Sequence, residues 1–125
     1  MKEIIRTDKA PKAIGPYSQA VKSGSFLFIS GQIPLDPVSM EVVGQTAAQQ
    51  AEQVLKNIGA ILKAASLDYA DVIKTTLLLA DINDFKAVNE VYGWVFRQEP
   101  PARAAYQAAA LPMGVLVEIE AVAAY

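Results

Sequence analysis

A chain of 125 residues, 53% apolar and 19% charged, has the make-up of one globular domain with a core of its own. Eleven basic against thirteen acidic residues leave a net charge of −2, which offers a nucleic-acid backbone no electrostatic footprint. Cysteine and histidine are both absent, so disulfides, thiolate nucleophiles, Ser-His-Asp triads and Cys or His metal sites are excluded.

Met1-Lys2-Glu3-Ile4-Ile5-Arg6 mixes charges and holds no long apolar stretch, so it does not read as a signal peptide, and the cytoplasm is the expected location. Residues 2–5 and about 17–30 read as strands joined by a turn at Ile14-Gly15-Pro16. Both faces of the second are largely apolar, and Gly31 and Pro34 end it. Residues 35–44, with Asp36-Pro37 and Gly44, are loop-like. Residues 45–66 give the clearest helix: Ala47, Ala51, Val54, Ile58, Ile61 and Ala65 recur at spacings of three and four. Val72 to Ala80 reads as a buried strand. A second helix follows Asp81 or Asn83, either of which can cap it, with the stripe Phe85, Val88, Tyr92, Val95 and Phe96. Pro100-Pro101 forces an extended exit. Residues 102–110 and 115–124 read as two strands around Leu111-Pro112-Met113-Gly114. The longest uncharged run, Ala104 to Val117, is too short to span a bilayer and contains Pro112 and Gly114. No repeat or linker divides residues 1–125, so the expectation is a single α+β domain with both helices on one face of its sheet.

Without histidine or cysteine, chemistry falls to carboxylates, Arg, Lys, Tyr, hydroxyls, amides and backbone dipoles. Alternation in the last strand puts Glu118 and Glu120 on the face opposite Val117 and Ile119. If the last two strands pair antiparallel about their turn, Gln107 faces Glu118, Ala105 faces Glu120, and Arg103 lies diagonal to Glu120. That surface is either a solvated face with a routine ion pair or a site, and a slip of one residue would destroy it. Asn89 lies at the edge of the second helix's stripe, where its amide bonds a neighbouring backbone group or faces a cleft. Tyr17 is either a core aromatic or a pocket donor. Gly31 either ends a strand or lets a ligand approach the backbone closely.

Several blocks, in order along essentially the whole chain, resemble the RidA/YjgF family. They are Ala13-Ile14-Gly15-Pro16-Tyr17-Ser18-Gln19, Ser30-Gly31-Gln32-Ile33-Pro34, Val72-Ile73-Lys74-Thr75-Thr76, Asp84-Phe85 through Val88-Asn89-Glu90-Val91-Tyr92, Pro101-Ala102-Arg103 and Val117-Glu118-Ile119-Glu120-Ala121-Val122-Ala123. Matched blocks in register are far more specific than one short motif. The resemblance implies a chorismate-mutase-like α+β fold, assembled as a homotrimer with clefts between subunits. It implies cofactor-free hydrolysis of reactive 2-imino acids, or their enamine tautomers, to 2-keto acids and ammonia. The family's carboxylate-binding arginine falls on Arg103, where a guanidinium fork suits a carboxylate. Its acidic site residue falls on Glu118, which would hold or activate water. Tyr17, Ser30, Gly31 and Asn89 match cleft-lining positions, and Pro112 matches the proline of the last turn; Glu120 is less clearly assigned. Ala105 stands where many members have cysteine, and the segment between Asn89 and Arg103 is shorter than in familiar members.

The expectation is therefore a deaminase acting on small imines such as 2-iminobutanoate and 2-iminopropanoate. Its partners would be those small molecules and further copies of itself, with no metal, nucleic acid or membrane. The competing reading is a non-catalytic module that binds a carboxylate metabolite in the same cleft. A ribonuclease, also attached to this family, is disfavoured by the negative charge and the lack of histidine.

Overall fold

The computed structural model covers residues 1–125. In chain order it comprises β1 (Glu3–Ile5), β2 (Ala20–Ser23), β3 (Phe26–Gln32), α1 (Ala47–Ala64), β4 (Val72–Leu79), α2 (Phe85–Val95), β5 (Ala102–Gln107) and β6 (Val117–Ala124). The strands form one six-stranded sheet in the order β1-β2-β3-β6-β4-β5. Every neighbouring pair is antiparallel except β4 and β5. No helix is long and apolar enough to cross a membrane.

The helices form where the sequence says they should. Thr46 caps α1 with its side chain accepting from the Gln49 N–H, while the Gln49 side chain accepts from the Thr46 N–H. Such a reciprocal cap contributes about 1 kcal/mol. The apolar face of α1, including Val54, Ile58 and Ile61, is fully buried against the sheet. Asn57, also on that face, donates to the carbonyls of Leu35 and Ile33 and accepts from Gln53, which ties α1 to the loop after β3.

Two strand assignments change. Residues 17–30 are not one strand but a turn followed by a hairpin: the β2–β3 loop is Gly24-Ser25, with Gly24 at φ 58°, and Tyr17 sits in a tight turn. The apolar residues on both sides of Gly24 mask the break. The antiparallel pairing of residues 102–110 with 115–124 does not occur. β4 lies between them, and β5 runs parallel to β4 as the second strand of a β4-α2-β5 unit. A strand–helix–strand passage returns to the same sheet as a parallel crossover, and that outcome wins here over a hairpin.

Leu27, Ile29, Leu77, Leu79, Val117 and Ile119 point to the helices and make the core. The opposite face carries no helix. There Phe26 and Phe28 of β3 and Tyr106 of β5 are 45%, 49% and 52% exposed. Val122 and Leu78 lie among them, flanked by Lys74, Glu118 and Glu120.

Candidate active site

The residues singled out from the sequence gather in two places. The first is a bulge in β3. Between Ile29, which pairs with Ala121, and Gln32, which pairs with Ile119, β3 has one residue more than β6, so Ser30 and Gly31 bow out opposite Glu120. The Ser30 hydroxyl donates to the Ser18 carbonyl, and the Ser30 N–H to the Gln19 carbonyl, which lock the bulge to the turn holding Tyr17. Gly31 is needed for closeness rather than for its torsion. A Cβ there would overlap Oε2 of Glu118 and lie 3.1 Å from its Cδ. The Glu118 carboxylate thus lies close against the Gly31 backbone. Tyr17, Gly31 and Pro112 line one cavity of about 300 Å³, walled otherwise mainly by apolar side chains.

Glu118 is half-buried on the open face, and burial raises its pKa above the ordinary glutamate value, with the charge of nearby Glu120 adding to the rise. A carboxyl group held this way is a stronger base than an exposed one and is easier to protonate, as general acid–base work requires.

The second place is the edge strand β5. Arg103 pairs with Thr75 of β4 and shares its helix-side face. Its Nη1 donates to Asn89 Oδ1 at 2.7 Å. The guanidinium carbon lies 4.8 Å from the Tyr92 ring centroid and 5.2 Å from that of Phe85. The Tyr92 hydroxyl is in turn 2.7 Å from the Thr75 hydroxyl, both side chains being buried. One amide and two ring faces therefore hold the guanidinium, while its other donors make no protein hydrogen bond and remain open to an anion.

These positions overturn the single surface expected from a β5–β6 hairpin. Glu118 pairs with Leu78 and Glu120 with Thr76, on the open face; Arg103 is on the helix-side face. Gln107 does not face Glu118; its side chain accepts from the Ile82 N–H. Asn89 is exposed, and its partner is Arg103 rather than a backbone group. Within one chain Arg103 and Glu118 lie on opposite sides of the sheet. Phe85, Tyr92 and Thr75 were not singled out as site residues, although Phe85, Asn89 and Tyr92 have the four- and three-residue spacing that puts them on one helix face. No group of three or more acidic side chains is placed to hold a metal ion.

Comparison with known proteins adds four findings. The family model described as Endoribonuclease L-PSP matches residues 7–125. The human 2-iminobutanoate/2-iminopropanoate deaminase is 58% identical over 123 residues, covering 98% of this chain and 90% of that protein. Among solved structures, RidA from the Antarctic bacterium Psychrobacter sp. PAMC 21119 superposes with a TM-score of 0.94 at 48% identity, covering 98% of this chain and 99% of that one. TdcF from E. coli, solved with bound serine, gives 0.92 at 44% identity over 98% of each.

Proposed function

The chain belongs to the RidA/YjgF family, and on that premise we propose that it is a hydrolytic deaminase that converts 2-iminobutanoate and 2-iminopropanoate to 2-keto acids and ammonia. The observation that carries the reading is near-full-length similarity to deaminases of that name, at 55–58% identity in human, mouse, rat and cattle proteins. The active assembly is a homotrimer whose open sheet faces meet, so that Arg103 of one copy reaches the bulge and Glu118 of the next. Two facts support this. An apolar face around Phe26, Phe28 and Tyr106 needs a cover, and the two halves of the site lie on opposite faces of one sheet.

In that cleft the open fork of Arg103 clamps the substrate carboxylate. Glu118 accepts a proton from water as its oxygen bonds to the imine carbon, and the C=N π pair moves to nitrogen. The nitrogen takes up that proton to give a carbinolamine. Glu118 then carries the hydroxyl proton to the nitrogen as the C–N bond breaks, so that ammonia leaves with both protons of the water and the ketone forms. Tyr17, Ser30, the Gly31 backbone and Asn89 orient the nitrogen and the water. The imine is already electrophilic, so positioning and local electrostatics suffice, and neither histidine nor a cofactor is required. A nuclease, by contrast, would have to do without any histidine as general base.

The test is a coupled assay: a dehydratase generates the imine, and keto-acid appearance is timed with and without this protein. Acceleration in proportion to added protein supports the deaminase. Binding of 2-ketobutyrate with no acceleration would instead make the cleft a carboxylate-binding module.

A further inference from the structure

The cavity that holds Tyr17 and Gly31 has walls of Ile14, Ile33, Leu35 and Met113, and only one charged residue, Lys12, lines it. Lys12 also lines a second cavity of about 300 Å³, which shares Tyr17 with the first and contains Arg6 and Asp8. The lysine therefore borders both cavities.

The backbone leading to it is held in place. Gln19, almost fully buried, donates to the carbonyls of Thr7, Ala10 and Pro11 and accepts from the Thr7 N–H. One buried amide thus pins the segment that leads to Lys12, and buried Pro11 stiffens it further. On the other side, the Tyr17 N–H donates to the Gly15 carbonyl at 2.9 Å. Lys12 itself is exposed and makes no side-chain hydrogen bond, and no acidic side chain lines the apolar cavity with it, so its charge is free for an anion there.

From this arrangement we propose that Lys12 forms a second anion subsite, which lets the cavity also accept 2-imino acids carrying a distal acid group. The inference rests on the deaminase reading: with the α-carboxylate held by Arg103 and the imine carbon at Glu118, the substrate side chain extends past Gly31 and Tyr17 toward Lys12. A chain of two methylenes ending in a carboxylate lays its carbon on the apolar walls and its charge on the ammonium. Arg6 in the adjoining cavity adds to the attraction, while Asp8 partly offsets it. A cavity near 300 Å³ is at the small end of ligand pockets, ample for a five-carbon diacid.

The experiment uses the full chain as wild type, Lys12→Ala and Lys12→Arg. Affinities for 2-oxoglutarate and 2-oxobutanoate are measured by calorimetry, and kcat/KM for 2-iminoglutarate and 2-iminobutanoate by keto-acid release. Lys12→Ala should lower the diacid-to-monoacid ratio about three- to tenfold in both measurements, the range for a partly exposed charged contact. Lys12→Arg should restore it, and raised salt should shrink the wild-type ratio but not that of Lys12→Ala. The same ratio in wild type and Lys12→Ala would overturn the subsite. If wild-type protein leaves 2-iminobutanoate at its spontaneous rate, the deaminase reading falls instead, and the calorimetric ratio still decides for or against Lys12.

Discussion

Gly31→Ala is a sharp probe of the bulge. The Gly31 torsion lies outside the left-handed region, so alanine meets no backbone strain there. On the unfolded-chain side the extra methyl stabilises by about 0.4–1 kcal/mol. What the new Cβ meets is the carboxylate of Glu118, whose oxygen has to retreat by about 1.3 Å or more before ordinary contact returns. The displaced group is the tip of a flexible side chain, so the fold absorbs the change and the melting temperature should move by less than about 4 °C. Catalysis should not absorb it. A misplacement of about 1 Å in a positioned base costs on the order of 10²-fold in turnover. The assay is imine hydrolysis beside a thermal melt, with Glu118→Gln and the double variant as companions. Because both changes act on one carboxylate, the double variant should be no worse than Glu118→Gln alone. Turnover within twofold of wild type in a well-folded Gly31→Ala protein would show that the Glu118 position is not critical. Full additivity in the double variant would show that Gly31 acts by another route.

Arg103→Lys keeps the charge but loses the planar fork and should cost about ten- to 150-fold in hydrolysis, with the assembly unchanged by sedimentation. Asn89→Ala removes the one side-chain hydrogen bond on Arg103 from an exposed position; stability should stay within about 0.5 kcal/mol while 2-ketobutyrate affinity falls about fivefold by calorimetry. Burial, and next Glu120, make the folded chain hold the Glu118 proton more tightly than the unfolded chain does. The stability contributed at that group is therefore present at low pH and declines as pH rises from the ordinary glutamate range through the raised native value. Melting curves from about pH 4 to 7 should show that Glu118→Gln flattens this decline, and an unchanged slope would remove Glu118 as its source.

Much of this was legible in the residues. The spacing of Ala47, Val54, Ile58 and Ile61 gives α1 within two residues at each end, and the Phe85–Phe96 stripe gives α2. Alternation correctly puts Glu118 and Glu120 opposite Val117 and Ile119. Partnership was not legible. A period of two tells which residues share a face of their own strand, but not which strand lies alongside. The uncharged stretch from Ala104 to Val117 looked like two strands and a turn. In fact β5 ends at Gln107 and hands its carbonyls and amides to β4, whose apolar run needed a neighbour on each side. Strand, helix, strand with a connection of this length does carry a signal for a parallel crossover, and Val72 to Gln107 has that form. The Arg103 cradle depended on this pairing: only with Thr75 beside Arg103 does Tyr92 reach both.

The opposite-face arrangement has a consequence that no single-chain site could share. If Arg103 of one copy works on substrate held against Glu118 of another, two inactive variants can repair each other. An Arg103→Ala chain still brings an intact Glu118, and a Glu118→Gln chain still brings an intact Arg103. Mixed within one trimer, some clefts receive both wild-type groups. With equal amounts and random assembly, each cleft has even odds of the right donor on either side, so about one quarter of the clefts are complete. Activity should therefore rise from near zero for either variant alone to about one quarter of wild type after the two are unfolded together and refolded. Simple mixing of preformed trimers should restore it only as fast as subunits exchange, which separates assembly from trace contamination. A co-refolded mixture that forms trimers yet stays inactive would place both groups' work within one chain. The register of β4 with β5 and β6 forbids that unless the substrate reaches around the sheet edge, and the intersubunit cleft would then be lost along with the roles given to Arg103 and Glu118.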